Sequence, residues 1–165
     1  MCLENKSKVY SLLDELKIEY TSYDHEPAFT MDICKEIEKV IHSPICKNLF
    51  LCNRQKTNFY LLLMPGDKAF KTKDLSAQIN SARLSFGSDD DLKTYLDLTP
   101  GSCTIFGLMN DPKLKVRLLI DEDILKDEYF GCHPCINTST ISFKTSDLFE
   151  KIIPCLNHEF TIVKL

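Results

Sequence analysis

Cys46-Lys47-Asn48-Leu49-Phe50-Leu51-Cys52 and Phe59-Tyr60-Leu61-Leu62-Leu63-Met64 are two apolar runs separated by the polar stretch Asn53 to Asn58. Two runs of this length around a polar connector predict a β-hairpin, with strands at Asn48–Cys52 and Phe59–Met64. Pro65-Gly66-Asp67 then breaks the chain. Towards the N-terminus, Val9, Leu12, Leu13 and Leu16 recur at helical spacing between Ser7 and Lys17, and Ile18 to Tyr23 alternates like a strand. Met31 to Ile41 predicts a second helix with Ile33, Ile37, Val40 and Ile41 on one face. Towards the C-terminus, short helices are expected at Lys73–Ile79 and from Ser88 to Leu96. Ser88 suits an N-cap there, and Asp89, Asp90 and Asp91 suit the positive helix end, which accounts for the triple carboxylate without a metal. Strands are expected at Val116–Asp121, Thr138–Phe143 and Phe160–Val163, a helical turn at Asp121–Leu125 and a last helix at Ser146–Ile153. Helices alternate with strands while hairpins intervene, so the class is α/β with a mixed sheet. No repeat or linker interrupts residues 1–165, which reads as a single domain.

The chain has 165 residues, enough for a substantial core, and its apolar runs are too short to span a bilayer. The N-terminus has no basic segment followed by an apolar stretch, so a cytoplasmic location is expected, with no membrane partner. Most of the eight cysteines lie inside apolar segments, including Pro154-Cys155-Leu156, and are expected as reduced thiols. A net charge of −4 argues against a protein that coats DNA or long nucleic acid, yet allows a grip on one RNA end. Lys68, Lys71 and Lys73, diluted by Asp67 and Asp74, read as a solvated face.

Four segments stand out. Lys47 opens an apolar strand, and reads either as a lysine whose stem packs or as a cation for a phosphate or ribose. Thr99-Pro100-Gly101-Ser102-Cys103-Thr104-Ile105 could present successive amides to an oxyanion, or be a plain turn. Cys132-His133-Pro134-Cys135 has redox or zinc spacing, but leads into strand-like Ile136 to Ile141 and has no second ligand pair. Ser102 or Cys103 with His133 could form a nucleophile–base pair, although no Gly-x-Ser-x-Gly elbow is present. Ala82-Arg83-Leu84-Ser85-Phe86-Gly87 alone says nothing.

Taken in order, these segments resemble the prolyl-tRNA editing family of YbaK-like proteins, ProX-type freestanding deacylases and the insertion domain of bacterial prolyl-tRNA synthetases. The motifs are His25-Glu26-Pro27-Ala28-Phe29-Thr30, Lys47-Asn48-Leu49-Phe50-Leu51, Arg83-Leu84-Ser85-Phe86-Gly87-Ser88, Leu98-Thr99-Pro100-Gly101-Ser102, Phe106-Gly107-Leu108-Met109-Asn110-Asp111, and His133-Pro134 with Asn137-Thr138. The resemblance implies a compact domain whose mixed, curved sheet is surrounded by helices, with a pocket for the aminoacylated 3′ adenosine. It implies that Lys47 anchors the terminal nucleotide or steadies developing charge, and that Gly101, Ser102, Cys103 and Thr104 bring backbone amides to the ester. Tyr20, Phe29, Asn48, Ile105, His133, Pro134 and Asn137 are then substrate-binding, with His133 and Pro134 on the amino-acid side. Many relatives read Gly-x-x-x-Pro where this chain ends the loop in Ile105.

The implied reaction is hydrolysis of alanyl-tRNA(Pro) without metal or organic cofactor, in a cramped cavity that admits alanine and rejects proline. The implied partners are the charged acceptor end of tRNA(Pro) and, beyond it, prolyl-tRNA synthetase. Cysteinyl-tRNA(Pro) deacylation is the alternative within the family. A module that senses an aminoacyl-tRNA without cutting it is the alternative outside it, as is a thiol oxidoreductase using Cys132 and Cys135.

Overall fold

A computed structural model describes residues 2–27 and 31–165. The elements run α1 (Cys2–Glu15), β1 (Tyr20–Asp24), α2 (Met31–Ile41), β2 (Cys46–Asn53), β3 (Phe59–Pro65), α3 (Thr72–Gln78), β4 (Leu84–Phe86) and α4 (Asp89–Leu96). After a 3-10 helix at Ile105–Asn110 come β5 (Val116–Asp121), a 3-10 turn (Glu122–Lys126), β6 (Tyr129–Cys132), β7 (Ser139–Lys144), α5 (residues 145–155) and β8 (Phe160–Val163). Helix α5 carries a π-helical stretch at Leu148–Ile152.

The α/β class with mixed strand pairing is as expected, but the strands divide into two sheets. One is antiparallel, in order β1-β7-β6, and the other is mixed, in order β4-β2-β3-β5-β8. The β2–β3 hairpin forms in register Lys47↔Met64 to Cys52↔Phe59. Its connector is held by Asn53, whose Oδ1 accepts from the amides of Thr57 and Asn58 at 2.9 and 3.1 Å. Strand β3 pairs with β2 on one side and β5 on the other, so its unbroken apolar run is buried on both faces. One face carries Phe59, Leu61 and Leu63 into a core shared with α1, the antiparallel sheet and α5. The other carries Tyr60, Leu62 and Met64 against Leu75 of α3.

Several details depart from expectation. Of the four residues expected on one face of α2, Ile37 and Ile41 are buried while Ile33 and Val40 are exposed, because the helix meets the small sheet along a narrow stripe. Among the described residues, strand β1 pairs only with β7, at the sheet edge, so most of it faces outward rather than alternating. Cys155 is exposed despite its apolar neighbours. Strands β4 and β6 had no sequence signal. Ser88 caps α4 as expected, its Oγ accepting from the Asp91 amide at 3.1 Å. Among the described residues, no helix is long and apolar enough to cross a membrane.

Candidate active site

The two sheets meet where an isolated parallel bridge joins Ile45 to Gly131. The start of β2 and the end of β6 are thereby brought together, delivering Lys47 and Asn48 from one strand and His133 from just beyond the other. The approach is tight: a Cβ on Gly131 would meet the Pro44 carbonyl oxygen at 2.5 Å. Beside this junction lies a cavity of about 570 Å³. Lys47, Asn48, Gly101, Cys103 and His133 line it, together with Cys34 and Glu38 of α2, Ile45, Leu49, Asp67 and Asp127. Its size suits a small organic group with a nucleoside attached, and exceeds the cramped space expected for an alanyl side chain alone.

Lys47 is half-buried and its Nζ donates to the Lys68 carbonyl oxygen at 2.6 Å. An ammonium has three donors, so this bond fixes its direction and leaves two for a ligand. Asn48 faces the loop instead: its Oδ1 accepts from the Ile105 amide at 2.9 Å, and its Nδ2 donates to the Cys46 carbonyl. This tie anchors the loop's far end to β2. Ile105 itself is fully buried in the core and is absent from the cavity wall, as are Ser102, Thr104, Pro134 and Tyr20. The Tyr20 ring packs on Tyr10 at a centroid separation of 5.5 Å. Phe29 lies outside the described residues.

Gly101 adopts φ +85°, a left-handed conformation suited to glycine, with the Asn137 side-chain amide close by. The loop does not present all its amides. The Ser102 N–H donates to the Thr99 carbonyl at 3.1 Å and the Ile105 N–H is held by Asn48. Among the described residues, the amides of Gly101 and Cys103 make no hydrogen bond. Of the Gly101 to Thr104 amides expected to face an oxyanion, that of Ser102 is consumed by its own turn.

Among the described residues, no nucleophile–base pair forms. Ser102 Oγ donates to the Thr99 carbonyl at 2.8 Å, and burial pushes the Cys103 thiol up to about 12, so it is protonated at neutral pH. The Cys132 thiol is buried too and its pKa is driven well above its ordinary value by burial, far from the thiolate a redox pair requires. His133 Nδ1 donates to the Ser139 carbonyl at 2.8 Å, which leaves Nε2 as the acceptor nitrogen of the neutral ring. Burial holds the His133 pKa below its ordinary value, and His25 nearby lowers it further. Thr140 Oγ1 links the two imidazoles, 2.8 Å from His25 Nε2 and 3.5 Å from His133 Nδ1. On the acidic side, burial and the charges of Asp67 and Asp123 raise the Asp127 carboxyl. Glu38 is spent partly on the Ile45 amide at 2.9 Å.

Sequence reading missed Cys34, Glu38, Asp127 and the Lys68 carbonyl as parts of this site. The first three come from segments with no motif of their own, and a backbone carbonyl leaves no residue-type signature. Among the described residues, no group of three His, Cys, Asp or Glu side chains is placed to hold a metal.

The fold recurs in solved structures. Hypothetical protein APE2540 aligns with TM-score 0.71 at 13% identity, covering 94% of this chain and 98% of its own. A structure described as that of a candidate trans-editing enzyme for prolyl tRNA synthetase aligns with TM-score 0.69 at 12% identity, covering 98% and 97%. The fold is thus that of an α/β domain with a lysine-and-glycine-loop cavity at the seam of its two sheets. The sequence profile of the aminoacyl-tRNA editing domain matches residues 25–151, and the chain belongs to that family as an aminoacyl-tRNA deacylase. It is 34% identical, over the full length of both chains, to "Prolyl-tRNA editing protein ProX" of Acetoanaerobium sticklandii. It is also 24% identical to "Prolyl-tRNA synthetase associated domain-containing protein 1" of Mus musculus, covering 87% of each.

Proposed function

We propose that the chain edits in trans, cleaving the ester of alanyl-tRNA(Pro) to release alanine and free tRNA(Pro). The observation that carries this reading is the convergence on one cavity of the Lys47 ammonium, the unspent Gly101 and Cys103 amides and neutral His133. The full-length likeness to ProX supports tRNA(Pro) as the carrier.

The chemistry then follows from the groups present. Water adds to the ester carbonyl, and the negative oxygen is met by the Gly101 and Cys103 amides. The C–O bond to the ribose breaks and the ribose oxygen leaves as a hydroxyl. With no nucleophile–base pair among the described residues, the substrate's own ribose hydroxyl orients the water, which is a proximity effect. Lys47 holds the terminal nucleotide as a point charge. Alanine must be favoured over proline by shape, because a synthetase pocket built for proline discriminates a smaller side chain by only about 1–3 kcal/mol per methylene. Rejection of the pyrrolidine ring acts in the part of the cavity between Gly101, Cys103 and His133, since the whole space would admit it. Single-turnover deacylation of alanyl-tRNA(Pro) tests this. Turnover is expected in the wild type, with a loss of at least about tenfold in Lys47→Ala. Unchanged turnover in that variant removes Lys47 from the site.

A further inference from the structure

The bond that orients Lys47 has a support of its own. Its acceptor, the Lys68 carbonyl, sits at the end of the turn that follows β3, closed by the Lys68 amide donating to the Pro65 carbonyl at 3.2 Å. The same turn packs so closely on the Ile45 backbone that a Cβ on Gly66 would collide with the Ile45 carbonyl oxygen. The Lys68 side chain leaves in another direction. Its Nζ lies 2.8 Å from Asp121 Oδ2 and 2.8 Å from Asp123 Oδ2. Asp121 is fully buried at the end of β5, which runs parallel to β3, and its Oδ1 accepts from the Asp123 amide at 3.1 Å. Lys126 closes the group on Asp123 at 2.7 Å, so two ammoniums balance two carboxylates.

The lysine is therefore not part of a solvated face, as its sequence setting suggested. A buried carboxylate holds its partner more firmly than an exposed one, since losing the partner would strand the charge. We propose that Lys68 and Asp121 are positioning residues for Lys47: their ion pair fixes the turn whose carbonyl aims the Lys47 ammonium into the cavity. A lysine on a flexible four-carbon stem loses that direction when its acceptor moves. The kinetic part of this inference rests on the functional reading above.

Two variants test it: Lys68→Met, and the double variant Lys68→Met with Asp121→Asn, which leaves no stranded charge if the single variant fails to fold. The first readout is the side-chain ammonium resonance of Lys47 by proton–nitrogen NMR, assigned by its absence in Lys47→Met. An ordered, slowly exchanging signal is expected in the wild type, weakened or lost in both Lys68 variants. The second readout is single-turnover deacylation. The rate is expected to fall roughly ten- to hundredfold in the wild-type background, with no further fall in a Lys47→Met background. A Lys47 resonance identical in wild type and the folded double variant overturns the proposal, and so does an equal rate loss in both backgrounds. A wild type that cleaves no ester overturns the functional reading alone, and the resonance then decides the positioning role.

Discussion

His133 lines the cavity, and the proposed chemistry gives its neutral ring a pH signature. Its Nδ1–H is committed to Ser139, and burial lowers its pKa from the ordinary 6.5. The folded protein thus favours the uncharged ring, which is present above the unfolded pKa and lost as pH falls through the lowered folded value. The kcat/KM profile is expected to keep its plateau through neutral pH and to fall on the acid side with a midpoint below 6.5. His133→Gln should flatten that acid limb; an unchanged limb assigns it to another group. Cys103 makes the opposite case. Its thiol is held up at about 12 by burial, so Cys103→Ala should keep turnover within about threefold of wild type, and no acyl-enzyme should accumulate in quenched mass spectra. Loss of turnover in that variant would revive a covalent route.

Between neighbouring segments, the loop and the C-terminal strand are held by different means. Gly101 at φ +85° lets the loop turn back towards Asn137, and an alanine there would be strained by about 1–2 kcal/mol. Under the proposed mechanism Gly101→Ala is expected to lower kcat at least about tenfold with only a modest drop in melting temperature, because it re-aims an amide that the proposal assigns to the oxyanion. Asp111 works far more for stability. Its carboxylate accepts from the Lys115 and Val116 amides at 2.9 and 2.8 Å and from His158 Nε2 at 3.1 Å, tying the start of β5 to the segment before β8. Asp111→Ala should destabilise the fold by about 3 kcal/mol in denaturant unfolding, since it strands a buried imidazole and two amides. These elements differ in how far the sequence betrays them. The β2–β3 hairpin and the Ser88 cap were legible because local chemistry decides both. Strand β4 at Leu84–Phe86 is too short for a period, and β6 ends in Cys132, where the cysteine spacing drew attention to redox chemistry instead. Ile33 and Val40 follow the helical period but face outward, because periodicity shows which residues share a face and not how wide the contact is.

The molecule as a whole places its chemistry at a seam. Neither sheet alone holds the site: β2 brings Lys47 and Asn48, β6 leads to His133, and the Ile45–Gly131 bridge keeps the two together. Motifs alone singled out Lys47, the glycine loop and His133, and the fold brings them to the wall of one cavity. Sequence could not show that Asn48 braces the loop, that Ser102 spends its own amide, or that Lys68 pairs with the buried Asp121. The first and last of those facts join residues distant in the chain, which only packing reveals, and the Ser102 amide is consumed within a local turn that the sequence left open against an amide-presenting loop. The cavity also proved roomier than a methyl group needs, so selectivity between alanine and proline has to be measured on intact substrates. The deciding experiment sets alanyl, cysteinyl and prolyl esters of the same tRNA(Pro) side by side with purified protein. Rapid cleavage of the alanyl ester with the prolyl ester left intact is the expected result. Preferential cleavage of the cysteinyl ester would reassign the substrate, and cleavage of the prolyl ester at the alanyl rate would contradict a pocket that selects by shape.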